Sequence, residues 1–237
     1  MCSLAGAAAL FVTAASGAYA QSGGDFSCTE FIGYSQTRQW YLAGFGPSVG
    51  WSGAWQLRAR DSAAVEFWAD PGFAGWDPSN RLSHCGQNTE KPDRIVLDVT
   101  NDYQADVNWW IDEINSAVDT IHTKFPSVKQ IVRQPVVGGP GGGQCRFGGT
   151  VVRASYNHPY VDQAIAQVAG GDVVIGADPT VRTCADYADD IGHLTPDAQV
   201  AIGNSIVNFY MQFGGGPPTD SGASTANSDG GSADTGG

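Results

Sequence analysis

Two apolar, β-branched runs, residues 94–99 and 130–137, flank a stretch in which Val107, Trp110, Ile111, Ile114, Val118 and Ile121 recur at i, i+3, i+4 and i+7. That spacing places the six side chains on one stripe of a helix over 106–124. A strand, a helix with a single apolar stripe and a second strand pack most simply as a crossover unit, which makes the two strands parallel neighbours. Similar runs at 30–35, 64–69 and 172–176 predict three more strands. Further helices are expected at 160–168 and 196–213, the latter capped by Thr195 with Pro196 at its first position. The glycines within 37–60 break any single long helix and leave that segment ambiguous. Five strands alternating with helices define an α/β class, a doubly wound parallel sheet covered on both faces. In such sheets functional groups collect beyond the carboxyl ends of the strands.

The chain has 237 residues and a formal charge of −12, a field that repels nucleic acid and acidic membrane surfaces. Its longest apolar candidate, residues 4–15, is interrupted by Gly6 and Thr13 and falls short of the roughly 20 residues of a transmembrane segment. That run and Ala18-Tyr19-Ala20 read as a signal peptide over 1–20, although no Lys or Arg precedes Arg38 to supply a charged start. Residues 214–237 are Gly, Ser, Thr, Asp, Ala and Pro with little else, a composition expected to form a disordered tail and a candidate for association with the cell envelope. One folded domain is expected over 21–213, in a secreted or cell-surface protein.

Cys2 falls in the leader, which leaves Cys28, Cys85, Cys145 and Cys184 as an even set suited to an oxidising compartment. Cys28 and Cys85 lie before the first and third predicted strands, Cys145 and Cys184 after the fourth and fifth. Opposite ends of a strand are about 17–20 Å apart and a disulfide needs Cα atoms within roughly 7 Å, so the expected pairs are Cys28 with Cys85 and Cys145 with Cys184. The cysteines show no metal-binding spacing, and no metal or cofactor is expected.

At the strand ends stand Gly33-Tyr34-Ser35-Gln36-Thr37, Thr100-Asn101-Asp102 and Asp190-Ile191-Gly192-His193-Leu194-Thr195-Pro196. A serine hydroxyl becomes a nucleophile when an imidazole takes its proton, and the imidazole needs an anion to fix its tautomer. Ser35, His193 and Asp190 suit those roles, with Asp189 the competing orienter. The negative oxygen of the intermediate would be held by the Ser35 N–H, the Asn101 amide and the N–H of Gly75, chosen as a glycine after the second predicted strand.

The order Ser, Gly, Asn, Asp-x-x-His resembles the SGNH hydrolases, or GDSL-type esterases, across nearly all of 29–213. Asp190 to Pro196 is similar to that family's DxxHLTP segment, and Gly33-Tyr34-Ser35 with Thr37 to its GDSxT block. Tyr34 stands in place of the family's Asp, and Val99 in place of a Gly in its GxND block. The resemblance implies a flavodoxin-like three-layer α/β/α sandwich with a five-stranded parallel sheet, and serine-dependent hydrolysis of a small-molecule or glycan ester without metal. The alternative is a non-catalytic carbohydrate-binding or surface protein on the same scaffold.

Four tryptophans, Trp40, Trp51, Trp55 and Trp76, suit either a sugar- or acyl-binding cleft or the core. His84, His122 and His158 lack convincing partners and are expected at the surface, and the glycine run 138–143 reads as a mobile loop without the Lys-Ser/Thr of a phosphate-binding motif.

Overall fold

The computed structural model describes residues 26–213, so the signal-peptide and tail expectations lie outside the described residues. Strands β1 (Thr29–Gly33), β2 (Trp55–Ala59), β3 (Arg94–Val99), β4 (Gln130–Pro135) and β7 (Val173–Ile175) form one parallel sheet in the order β2-β1-β3-β4-β7. A two-stranded hairpin, β5 (Arg146–Phe147) and β6 (Thr150–Val151), stands apart from it. Helices α1 (Ser35–Trp40), α2 (Gly46–Ser48) and α6 (Pro196–Phe213) pack together around a π-helical turn, Tyr41–Phe45, while α3 (Val65–Ala69), α4 (Val107–Lys124) and α5 (Arg153–Val168) pack as a second layer. This is a five-stranded α/β/α sandwich.

Strands with both faces covered should be apolar throughout, and β3 is buried along its whole length. On the α6 side the Phe31 ring meets Trp40, Tyr41, Phe45, Trp55 and Tyr210 at centroid separations of 4.8–5.8 Å. Trp40, Trp55 and Trp76 therefore serve the core, and Trp51 is half exposed. Asp106 caps α4 by accepting from the N–H groups of Asn108 (2.9 Å) and Trp109 (3.4 Å).

The second strand is β2, and the expected strand over 64–69 is helix α3 instead. Periodicity hides β2 because it carries Gln56 and Arg58, both buried. Their polarity is matched inside the fold: Glu30 on β1 binds the Arg58 guanidinium and the Gln56 amide. Helix α5 begins at Arg153, seven residues before the expected 160, and accommodates Pro159 within it. His158 thus lies on a helix, not in a loop, and is 3% exposed with Nε2 2.7 Å from Asp178. The glycine run begins at Gly138, which exchanges backbone bonds with Pro179 and Val181, and is followed by Cys145 of the second disulfide.

The disulfides are Cys28–Cys85 and Cys145–Cys184, with Cα separations of 5.6 and 5.3 Å. Cys28 sits at the amino end of the sheet, where its N–H and that of Ser27 donate to Asp93. No described helix is long and apolar enough to cross a membrane.

Candidate active site

In the order β2-β1-β3-β4-β7 the chain reverses its direction of travel between β1 and β3, and the crevice beyond their carboxyl ends is the natural ligand site. Ser35 follows β1 and opens α1; Asn101 follows β3. A cleft of about 600 Å³ opens there, lined by Ser35, His193, Asn101, Ser62, Glu66 and Arg153 among others.

Ser35 Oγ lies 2.8 Å from His193 Nε2, and His193 Nδ1 lies 2.5 Å from Asp189 Oδ2. The carboxylate that meets the imidazole is therefore Asp189, and Asp190, favoured from the sequence, is exposed with no hydrogen bond to its carboxylate among the described residues. Asp189 Oδ1 accepts from the N–H groups of Ile191 (3.0 Å), Gly192 (2.9 Å) and His193 (3.0 Å). Those bonds curl the chain back so that Oδ2 meets the imidazole. Burial acts to raise the Asp189 pKa, but the bonds from the His193 ring and from the backbone of His193 and Gly192 outweigh it and hold the carboxyl below its ordinary value.

The loop is held from behind by α5. The first N–H groups of that helix, on Arg153 and Ala154, donate to the carbonyls of Asp190 (2.8 Å) and Ile191 (3.3 Å), satisfying donors that no turn of helix can. Gly192, at φ 111°, makes the bend that follows, where a Cβ would strike Ala154. The Cys145–Cys184 disulfide joins the same two regions, because the Cys145 carbonyl accepts from Val152 at the head of α5 and Cys184 begins the turn leading to Asp189.

Beneath Ser35, the Tyr34 N–H donates to Thr37 Oγ1 (3.0 Å), which donates to Asp98 Oδ2 on β3 (2.7 Å). Burial pushes the Asp98 carboxyl up to about 8, so it holds its proton at neutral pH. Tyr34 is itself buried, and its hydroxyl donates to Gln36 Oε1 at 2.7 Å.

The Asn101 carbonyl accepts from Asn157 Nδ2 (2.7 Å), and its Oδ1 accepts from the Asp102 N–H (2.7 Å). With its oxygen so engaged, the Asn101 amide has its N–H groups left over at the cleft. Gly75 is not part of this arrangement. It lies in a turn where a Cβ would collide with the Phe73 and Trp68 rings, and its carbonyl faces the Arg58 guanidinium. Displacing the second strand from 64–69 to β2 moves the corresponding loop to 60–64, and Ser62 and Ala64 line the cleft instead. Ser62 adopts φ 61°, a strained choice for a residue with a side chain, and its N–H has no acceptor among the described residues. Correct placement of β2 is the signal that would have found this loop.

Two ion pairs border the cleft, Arg38 with Asp61 at 2.8 Å and Arg153 with Asp102. Phe67 and Ile191 add exposed apolar surface. Among the described residues, no group of three or more His, Cys, Asp or Glu side chains is placed to hold a metal ion.

No protein-family model matches the chain, and no curated protein sequence does. Among solved structures, a carbohydrate esterase family 3 protein from Talaromyces cellulolyticus superposes with a TM-score of 0.50 at 13% identity, over 78% of this chain and 97% of its own. A protein from Arabidopsis thaliana matches with a TM-score of 0.43 at 16% identity, over 66% of this chain and 59% of its own. A two-domain esterase active on acetylated mannans gives 0.43 at 10% identity, over 78% of this chain and 49% of its own. The fold is shared with the Talaromyces esterase. The chain spans under two thirds of the length of the other two proteins.

Proposed function

We propose that this protein is a secreted, serine-dependent carboxylic-ester hydrolase. The observation that carries the reading is the continuous chain from Ser35 Oγ through His193 to the Asp189 carboxylate, at 2.8 and 2.5 Å, inside an open cleft. Ser35 Oγ attacks the ester carbonyl carbon as its proton passes to His193 Nε2, and Asp189 stabilises the imidazolium. The oxyanion is received by the Ser35 N–H at the first position of α1, by the Asn101 amide and by an N–H of the 62–64 turn. Collapse breaks the ester C–O bond, and the departing alkoxide takes the proton from His193. Water then attacks the acyl-enzyme, giving its proton to His193, and release of the carboxylic acid returns the proton to Ser35.

The ion pairs and Glu66 set polar groups in the cleft beside the apolar faces of Phe67 and Ile191, which suits the ester of a hydrated alcohol such as a sugar with a short acyl group. The rival reading, a non-catalytic carbohydrate-binding or surface protein, rests on Tyr34, Val99 and the tryptophans, of which Trp40, Trp55 and Trp76 are buried and Trp51 is half exposed. Two disulfides support export to an oxidising compartment.

A fluorophosphonate probe with peptide mapping tests the reading. Labelling is expected on Ser35, and Ser35→Ala should remove most hydrolysis of 4-nitrophenyl acetate and acetylated sugars while unfolding at the wild-type temperature. Near wild-type turnover in Ser35→Ala would end the proposal.

A further inference from the structure

Helix α1 carries two glutamines one turn apart, Gln36 and Gln39, neither with a part in the chemistry above. Gln36 is fully buried, and its Nε2 donates to the Gly192 carbonyl at 2.5 Å. Its Oε1 accepts from the Tyr34 hydroxyl (2.7 Å) and from the Val137 N–H beyond β4 (3.0 Å). Gln39 Oε1 accepts from the Leu194 N–H at 3.0 Å. Gly192 and Leu194 are the two chain neighbours of His193. We infer that Gln36 and Gln39 form a clamp: two positioning residues that grip the backbone on either side of His193 and so set its imidazole against Ser35, the first residue of the same helix.

The geometry explains why a clamp is needed. Ser35 and His193 are 158 residues apart in sequence, and His193 sits on a loop whose rear attachment is to α5, a helix of the opposite layer. Bonds to α5 hold the loop from the layer opposite α1 and involve no group of the helix that carries Ser35. Residues at i and i+3 share one helix face, so the two amides reach the loop from the element that holds Ser35. Gln36 is itself anchored by Val137, whose carbonyl accepts from the Tyr187 hydroxyl at 2.8 Å, so the clamp does not depend on α1 alone.

The inference rests on reading Ser35 and His193 as nucleophile and base, and the test separates the two. In the full-length protein, the second-order rate of fluorophosphonate labelling and kcat and KM for 4-nitrophenyl acetate are measured for wild type, Gln39→Met, Gln39→Glu and Gln36→Met. Gln39→Met removes the accepting oxygen; labelling and kcat should fall about 10- to 100-fold with KM within about twofold, as a misplaced base predicts. Gln39→Glu keeps that oxygen and should recover to within about threefold of wild type, a rescue that simple loss of packing would not give. Gln36→Met should fall at least as far as Gln39→Met; if it does not fold, the Gln39 pair decides. Wild-type labelling rates in a folded Gln39→Met, or no recovery in Gln39→Glu, would overturn the clamp. Absence of labelling at Ser35 in the wild type would overturn the nucleophile and the clamp with it.

Discussion

Asp189→Asn and Asp190→Asn, made side by side, test which carboxylate serves His193. Asp189 makes a 2.5 Å bond to the ring Nδ1, and a hydrogen bond between charged partners contributes about 1.5–3 kcal/mol. The Asp189 and His193 side chains are 34% and 28% exposed, so solvent screening brings the value to about 1.5–2 kcal/mol. At about 1.4 kcal/mol per decade of rate, Asp189→Asn should lower kcat/KM about 10- to 30-fold. The asparagine Oδ1 can still accept the three backbone N–H groups of 191–193, so loop shape is retained and the loss reports on charge. Asp190 offers α5 only its backbone carbonyl, which asparagine keeps, and Asp190→Asn should stay within about twofold of wild type. Hydrolysis of 4-nitrophenyl acetate and the rate of fluorophosphonate labelling report the effect, with thermal unfolding as control. A larger loss in Asp190→Asn than in Asp189→Asn would refute the reasoning.

Gly75→Ala should destabilise the fold by about 1–3 kcal/mol through its collision with Phe73 and Trp68, while kcat/KM per folded molecule is unchanged; denaturant titration with activity at matched folded fraction checks both. Asp98 holds its proton to about pH 8 when folded, against an ordinary value of 3.8 when unfolded, so the native state binds more protons and stability falls as pH rises between those values. Asp98→Asn should lack that slope, and parallel pH series of unfolding free energy would expose a failure. Replacing both Cys145 and Cys184 by serine opens a loop spanning 39 residues and should remove about 4 kcal/mol of stability, with activity declining at temperatures below the unfolding transition; coincident loss of both would count against a link between this bridge and the active site.

Fold class was legible because β3 and β4, though they bury Asp98, Arg133 and Gln134, keep contiguous β-branched or aliphatic centres at Ile95-Val96-Leu97 and Ile131-Val132, which β2 lacks, and the α4 stripe lies between them. β2 escaped notice because its polar side chains are neutralised by Glu30, a residue 28 positions before Arg58. Local pattern cannot register a charge that is matched by a distant strand. The error then spread, since misplacing the second strand moved its trailing loop and directed the choice to Gly75, which does not line the cleft, rather than to the 60–64 loop that does.

Ser35, His193 and Asn101, the residues proposed for the chemistry, were singled out for a different reason: the sheet rule points to the ends of β1 and β3, and an Asp-x-x-His spacing stands before the last helix. The choice between Asp189 and Asp190 had no such support. Both lie within one turn of His193 in sequence, and which faces the ring depends on the path of four residues. That path is imposed by α5, whose free N–H groups draw the Asp190 and Ile191 carbonyls toward the helix, and by Asp189 Oδ1, which gathers the N–H groups that follow. With its carbonyl bound to α5, Asp190 is left exposed, and the residue before it becomes the one that closes on the imidazole. Spacing of the form Asp-x-x-His is thus a statement about loop conformation as much as about residue type. Here a helix N-terminus more than thirty residues upstream shifts the contact with the imidazole by one position.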